Sequence, residues 1–195
     1  MNLMRDLLPR IETTFTKGLT TEDRFNMLLE FWPSCPQSIR KLINNTTFLS
    51  EPASTKYHGN YQGGLFDHSM NVAKVLRHFT DVGICSGWER EDSPEIVGVL
   101  HDFTKVGKYK WNHLLGKYEY AGNVLDFGGH GSDSVIKLSQ YIQLTTQEVT
   151  CIRFHMGAFE TEDWKNYGLA INIDPNVLWV HTADMYASHV LEVRV

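Results

Sequence analysis

The sequence predicts an all-α fold, a single compact helical bundle with one long irregular insert. Three observations lead there. Apolar residues recur at three- and four-residue spacing along much of the chain, and helix-capping patterns open several of those stretches. No segment alternates apolar and polar residues long enough to build a sheet. The 195 residues are enough to bury a sizeable core. Within that bundle, residues 1–55 read as a helical extension packed on a core formed by residues 56–195.

Each element has its own signal. Residues 20–32, TTEDRFNMLLEFW, begin with a T-x-x-D cap at Thr20 and Asp23, and Pro33 ends the helix. PQSIRKLINN, 36–45, reads as a short helix. The following 46–64 is mostly irregular, with Gly59, Gly63 and Gly64 free to turn sharply. Leu65, His68, Val72, Val75, Leu76 and Phe79 then mark one helical stripe. Ser93 and Pro94 suit the N-cap and first position of a helix through PEIVGVLHDF, 94–103.

Residues 104–130 form the insert, and a loop of that length in a compact domain is more often functional than idle. Its 116–129 portion, GKYEYAGNVLDFGG, has room for a small hairpin. Beyond it, SDSVIKLSQYI (132–142) reads as a helix, and Thr145 with Glu148 forms a capping box for the next one. Asp174 and Pro175 open a final helix over 175–193.

Composition excludes several classes of function. Eighteen Lys plus Arg against 23 Asp plus Glu give a net charge of −5, with no general pull towards nucleic acid or an anionic membrane. Cys35, Cys85 and Cys151 are scattered and odd in number, so neither a zinc knuckle nor a disulfide framework is expected. No stretch nears the roughly 18 apolar residues of a membrane span. Arg5, Asp6, Pro9, Arg10 and Glu12 stand where a signal peptide would need its apolar core, so a cytoplasmic location is expected.

The chemistry lies in scattered histidines and aspartates. His68 is on the inward stripe of its helix, His101 and Asp102 end an apolar helix, and His130 opens another after a Gly-Gly pair. His155 and Asp184 lie in two later helices. Any one of these alone reads as a satisfied core residue. A carboxylate on an apolar helix is expensive unless it is paired, hydrogen-bonded or metal-bound, which applies to both Asp102 and Asp184. Four imidazoles with two carboxylates suit Mn, Fe, Co, Ni or Zn better than Mg.

Five separated segments in this order resemble the HD superfamily of metal-dependent phosphohydrolases over roughly residues 58–190. His68, His101–Asp102 and Asp184 follow its H…HD…D signature, and His130 and His155 resemble the two histidines added in its binuclear branch. Lys105 matches the lysine of the HDxxK form, while GGLFDHSMNVAKVL and ADMYAS resemble its flanking segments. Residues 1–55 match nothing in that family, and GHGSDSV lacks the acidic residue that often follows HG.

The resemblance implies an HD-like bundle holding two divalent transition-metal ions. His68, His101, Asp102 and Asp184 would hold one, and Asp102 would bridge to a second completed by His130 and His155. Asp102 and Asp184 would orient an activated water, Lys105 would contact a phosphoryl oxygen, and His58 at the pocket mouth would donate to the leaving oxygen. In the insert, Lys108, Trp111 and Tyr118, with Lys110, Lys117 and Tyr120, are candidates to contact a nucleotide. His113 there is equally a surface residue. His181 reads as packing near Asp184, and His78 and His189 as surface or capping residues.

The expected activity is hydrolysis of a phosphoester of a nucleotide or related small molecule. A 3′–5′ exonuclease-like or cyclic-nucleotide phosphodiesterase is the alternative enzyme. A metal- or nucleotide-binding regulatory protein without turnover is the alternative of another class. A small phosphorylated partner fits better than nucleic acid, no membrane partner is expected, and the oligomeric state is open.

Overall fold

Thr20 and Asp23 form the reciprocal capping box that their spacing predicts. The Thr20 hydroxyl accepts from the Asp23 amide at 3.1 Å, and the Asp23 carboxylate accepts from the Thr20 amide at 2.9 Å. This starts α1, Thr21–Phe31, in a computed structural model that describes residues 11–122, 127–159 and 164–194. Helix α2, Gln37–Asn44, buries Ile39, Leu42 and Ile43. Helix α3, Gly64–Asp81, buries the whole predicted stripe, and its first ten residues are buried all round. It is the central helix of the core.

Helix α4, Ser93–Leu100, is buried throughout and packs most extensively on α3. A Cβ on Gly98 would lie 2.4 Å from the Ala73 Cα, so only glycine allows the two helices this close. Ser93 is the first helical residue, not the cap, which is Asp92. The reason is a stronger partner: the Ser93 hydroxyl donates to the buried Glu148 carboxylate at 2.8 Å.

After α4 the chain tightens into a 3₁₀ turn, Phe103–Lys105. The insert then forms an antiparallel hairpin, β1 Tyr109–Asn112 and β2 Lys117–Tyr120, earlier than the 116–129 expected. Its turn is set by Asn112, whose side-chain oxygen accepts from the amides of Leu114 and Leu115, and by Gly116 at φ 58°. These are the only strands among the described residues, and the fold is otherwise helical.

Helix α5, His130–Leu138, starts at the predicted histidine. Helix α6, Thr146–Arg153, carries the predicted Thr145–Glu148 capping box. Helix α7, Trp164–Ile173, has no counterpart in the sequence reading. It buries Tyr167 and Ala170 but exposes Trp164, Leu169 and Ile173, so it shows no apolar stripe. The predicted final helix is divided into α8, Asn176–Tyr186, a π turn at Ala187–Leu191 and a 3₁₀ turn at Glu192–Arg194.

Residues 11–18 cross α3 as a strap. The Thr16 amide and hydroxyl both donate to Asp67, at 2.8 and 2.5 Å, and Tyr61 donates to the same carboxylate at 2.7 Å. Burial pushes the Asp67 carboxyl up, against these hydrogen bonds. The three cysteines are free and buried. No helix among the described residues is long and apolar enough to cross a membrane.

Candidate metal centre

Three helix ends and two helix faces bring the predicted ligands to one point. Helix α3 supplies His68, and the end of α4 supplies His101 and Asp102. His130 begins α5, His155 follows α6, and Asp184 lies on α8. His68, His101, Asp102 and His155 are all buried, with exposures of 4% or less. Asp184 and His130 stand at the accessible side, with 16% and 34% of their side chains exposed.

Asp102 lies between two sets of donors. Its Oδ2 is 3.8 Å from His68 Nε2 and 3.6 Å from His101 Nε2. Those two nitrogens are 3.3 Å apart, and Asp184 Oδ1 is 3.1 Å from His68 Nε2. The Oδ1 atom of Asp102 faces the other set, 3.6 Å from His155 Nε2 and 3.7 Å from His130 Nδ1.

The spacing and chemistry of these donors could accommodate a metal ion. Asp102 Oδ1, His130 Nδ1 and His155 Nε2 are buried without a hydrogen-bond partner. Such orphaned atoms are rare in a stable fold and need a reason. Separations of 3.6–3.7 Å are too long for hydrogen bonds. They suit ligands sharing an ion, since donors about 2.1 Å from one centre lie roughly 3–4 Å apart. The buried group of His68, His101, Asp102, His155 and Asp184 could hold a metal ion.

The remaining ring nitrogens set the histidines' orientation. His101 Nδ1 donates to the Gly98 carbonyl at 2.8 Å, and His155 Nδ1 to the Ile152 carbonyl at 2.7 Å. A carbonyl can only accept, so each proton is on Nδ1 and each Nε2 lone pair faces the centre. His181 serves from behind, with Nδ1 donating to the His155 carbonyl at 2.8 Å. It is a support for that turn and no member of the cluster.

Lys105 Nζ lies 2.5 Å from Asp102 Oδ2 and is itself buried. Its turn is clamped by α5: the Thr104 amide donates to Ser134, and Lys137 Nζ donates to the Thr104 and Val106 carbonyls. On the far side the Gly107 amide donates to buried Glu51 at 3.0 Å. The helix that opens with His130 therefore also holds the turn next to Asp102.

Charge shifts follow from crowding. Burial opposes ionisation of Asp102 and Asp184, yet both carboxyls lie well below the usual range, Asp102 through Lys105 and His101 and Asp184 through His68. Burial would likewise lower His68, but the Glu192 and Asp184 carboxylates outweigh it and raise this imidazole to about 10. Burial takes His101 down to about 4, with His155 and His68 adding repulsion.

Other predicted residues fall elsewhere. His58 is half-buried and packed on His68, with ring centroids 4.8 Å apart and its Nε2 buried, so it flanks the cluster. Burial, then His68, lowers it to about 4. Trp111 and Tyr118 pack edge to face on each other in the hairpin, and Lys108 precedes β1. Strand alternation puts Tyr109, Trp111, Tyr118 and Tyr120 on one hairpin face and Lys110 and Lys117 on the other. The rings and those two lysines therefore project from opposite faces of the hairpin. His113 is exposed at the turn, and His189 Nδ1 meets the Ser188 hydroxyl at 2.8 Å.

The sequence reading missed Glu192. Its Oε1 lies 3.0 Å from His68 Nδ1 and accepts from Asn71 Nδ2 at 3.2 Å. Spacing from Asp184 gives no hint of this, because a continuous helix would point the two side chains in different directions. Comparisons with protein-family models, curated proteins and solved structures find no match to this chain.

Proposed function

We propose that the chain is a metal-dependent phosphohydrolase with an HD-type helical bundle, acting on a nucleotide or a related small phosphoester. The observation that carries this reading is Asp102, whose two oxygens face separate donor sets, one of them orphaned. His68, His101, Asp102 and Asp184 would hold one divalent ion, and Asp102, His130 and His155 the other. Bound there, two such ions supply Lewis acidity that activates water near neutral pH and offsets charge on a phosphoryl group.

The protein's own groups supply the rest. Asp184 and His130 mark the accessible side, from which an ester approaches. Lys105, anchored on Asp102, adds positive field at that point and is the candidate for contact with a phosphoryl oxygen. The buried His101 and His155 imidazoles are fixed by their backbone acceptors, which leave both Nε2 lone pairs facing the centre. The acidic net charge supports a small ester over a nucleic-acid polymer.

A panel of mono-, di-, tri- and cyclic nucleotides beside short single-stranded oligomers, each with Mn, tests the reading. Turnover of at least one free nucleotide is expected, and the released product names the bond cut. Stepwise mononucleotide release from oligomers, with little action on free nucleotides, would place the chain among exonuclease-like phosphodiesterases. Nucleotide binding without product under any of Mn, Fe, Co, Ni or Zn would make it a regulatory binder.

A further inference from the structure

Glu192 holds the first histidine of the cluster from behind. His68 is gripped at both ring nitrogens by carboxylates of the same C-terminal segment: Asp184 Oδ1 lies 3.1 Å from Nε2, and Glu192 Oε1 lies 3.0 Å from Nδ1. An α-helix advances about 100° per residue, so eight residues would leave Asp184 and Glu192 about 80° apart. The π turn at Ala187–Leu191 lies between them. Its i→i+5 bonding reduces the advance to roughly 80° per residue, which returns Glu192 to within roughly 20° of Asp184. The helix irregularity is what lets both carboxylates reach one imidazole.

The position of Glu192 carries a cost. Its Oε2 is buried without a hydrogen-bond partner, an expensive state for a carboxylate oxygen. Its Oε1 also accepts from Asn71, whose own Oδ1 accepts from the Thr14 amide at 2.7 Å, so the carboxylate is fixed by the strap across α3. His101 and His155 have backbone carbonyls as their Nδ1 acceptors. Inside α3, more than a turn from its start, His68 has none available, because the helix uses its carbonyls internally.

We propose that Glu192 is a positioning residue of the metal centre, accepting the Nδ1 proton of His68 so that Nε2 presents its lone pair to the ion shared with His101, Asp102 and Asp184. This rests on the metal-centre reading above. A carboxylate behind a ligating histidine fixes its ring and raises its basicity, and losing one typically weakens metal binding about 10–100-fold.

The test is a Co(II) titration of the metal-stripped chain, following each of the two ions, for the unsubstituted protein and for Glu192→Ala, Glu192→Leu and Glu192→Gln. Alanine and leucine are expected to weaken one ion by about 10–100-fold and leave the other within a few-fold. Glutamine keeps an oxygen acceptor for Nδ1 and is expected to recover part of the loss. Leucine fills the same space and stands in if the alanine variant unfolds. Unchanged affinity in Glu192→Ala or Glu192→Leu, with two ions bound by the unsubstituted chain, would overturn the role of Glu192 alone. Equal weakening of both ions, with glutamine no better than leucine, would make Glu192 a structural anchor only and overturn the role too. No uptake by the unsubstituted chain would overturn the metal-centre reading, and the role with it.

Discussion

Asp102→Asn is expected to empty both metal positions and lower turnover by at least about 10³-fold, while circular dichroism keeps its helical signature. The substitution preserves shape and removes the one charge that faces both donor sets. It also leaves the buried Lys105 ammonium without its carboxylate partner, and breaking a buried pair from one side costs about 3–5 kcal/mol. Asparagine still offers an amide oxygen, so the lower end of that range applies. For a chain of this size the melting temperature should fall by roughly 6–12 °C. Metal content, melting temperature and rate are measured on the same preparation. Two ions retained with full turnover would remove Asp102 from the centre.

Arg24→Met is expected to give the largest loss of stability that does not touch a proposed ligand. The guanidinium is 1% exposed and joins three segments of chain. Its Nε donates to the Thr16 hydroxyl at 2.7 Å, Nη1 to the Leu49 carbonyl at 3.1 Å, and Nη2 to the Thr16 and Gln62 carbonyls at 3.1 and 3.0 Å. Methionine fills most of the space but leaves three carbonyls without their donor. A loss of about 3–5 kcal/mol follows, or a fall of roughly 6–20 °C in melting temperature. Arg24→Lys should rescue little, because one ammonium cannot span the same fork. A melting temperature within about 2 °C of the unsubstituted chain would show that the clamp contributes little.

The parts of the fold that were legible are those whose physics is local. Thr20 with Asp23 and Thr145 with Glu148 bond within one helical turn, so four residues of sequence contain the whole interaction. The α3 stripe was legible because one face of a helix repeats at a fixed interval. Order along the chain also brought out His68, His101, Asp102, His130, His155 and Asp184, through the resemblance and not through any spacing rule. What stayed hidden depends on partners far away. Ser93 bonds Glu148 across 55 residues and His68 meets Glu192 across 124, and neither partner leaves a mark in the local pattern. Helix α7 escaped because its apolar residues lie on its exposed surface as well as its buried one. The hairpin lies earlier than expected because its turn is set by Asn112, an ordinary polar residue whose side-chain oxygen accepts from the Leu114 and Leu115 amides.

The most direct test of the two-set arrangement around Asp102 is calorimetric titration of the metal-stripped chain with Mn(II), read as ions bound per chain. Two ions per chain are expected, with proton release on binding, since the carboxylates around His68 keep that imidazole protonated up to about 10 until an ion displaces the proton. Saturation at one ion, or no uptake, would contradict the binuclear centre.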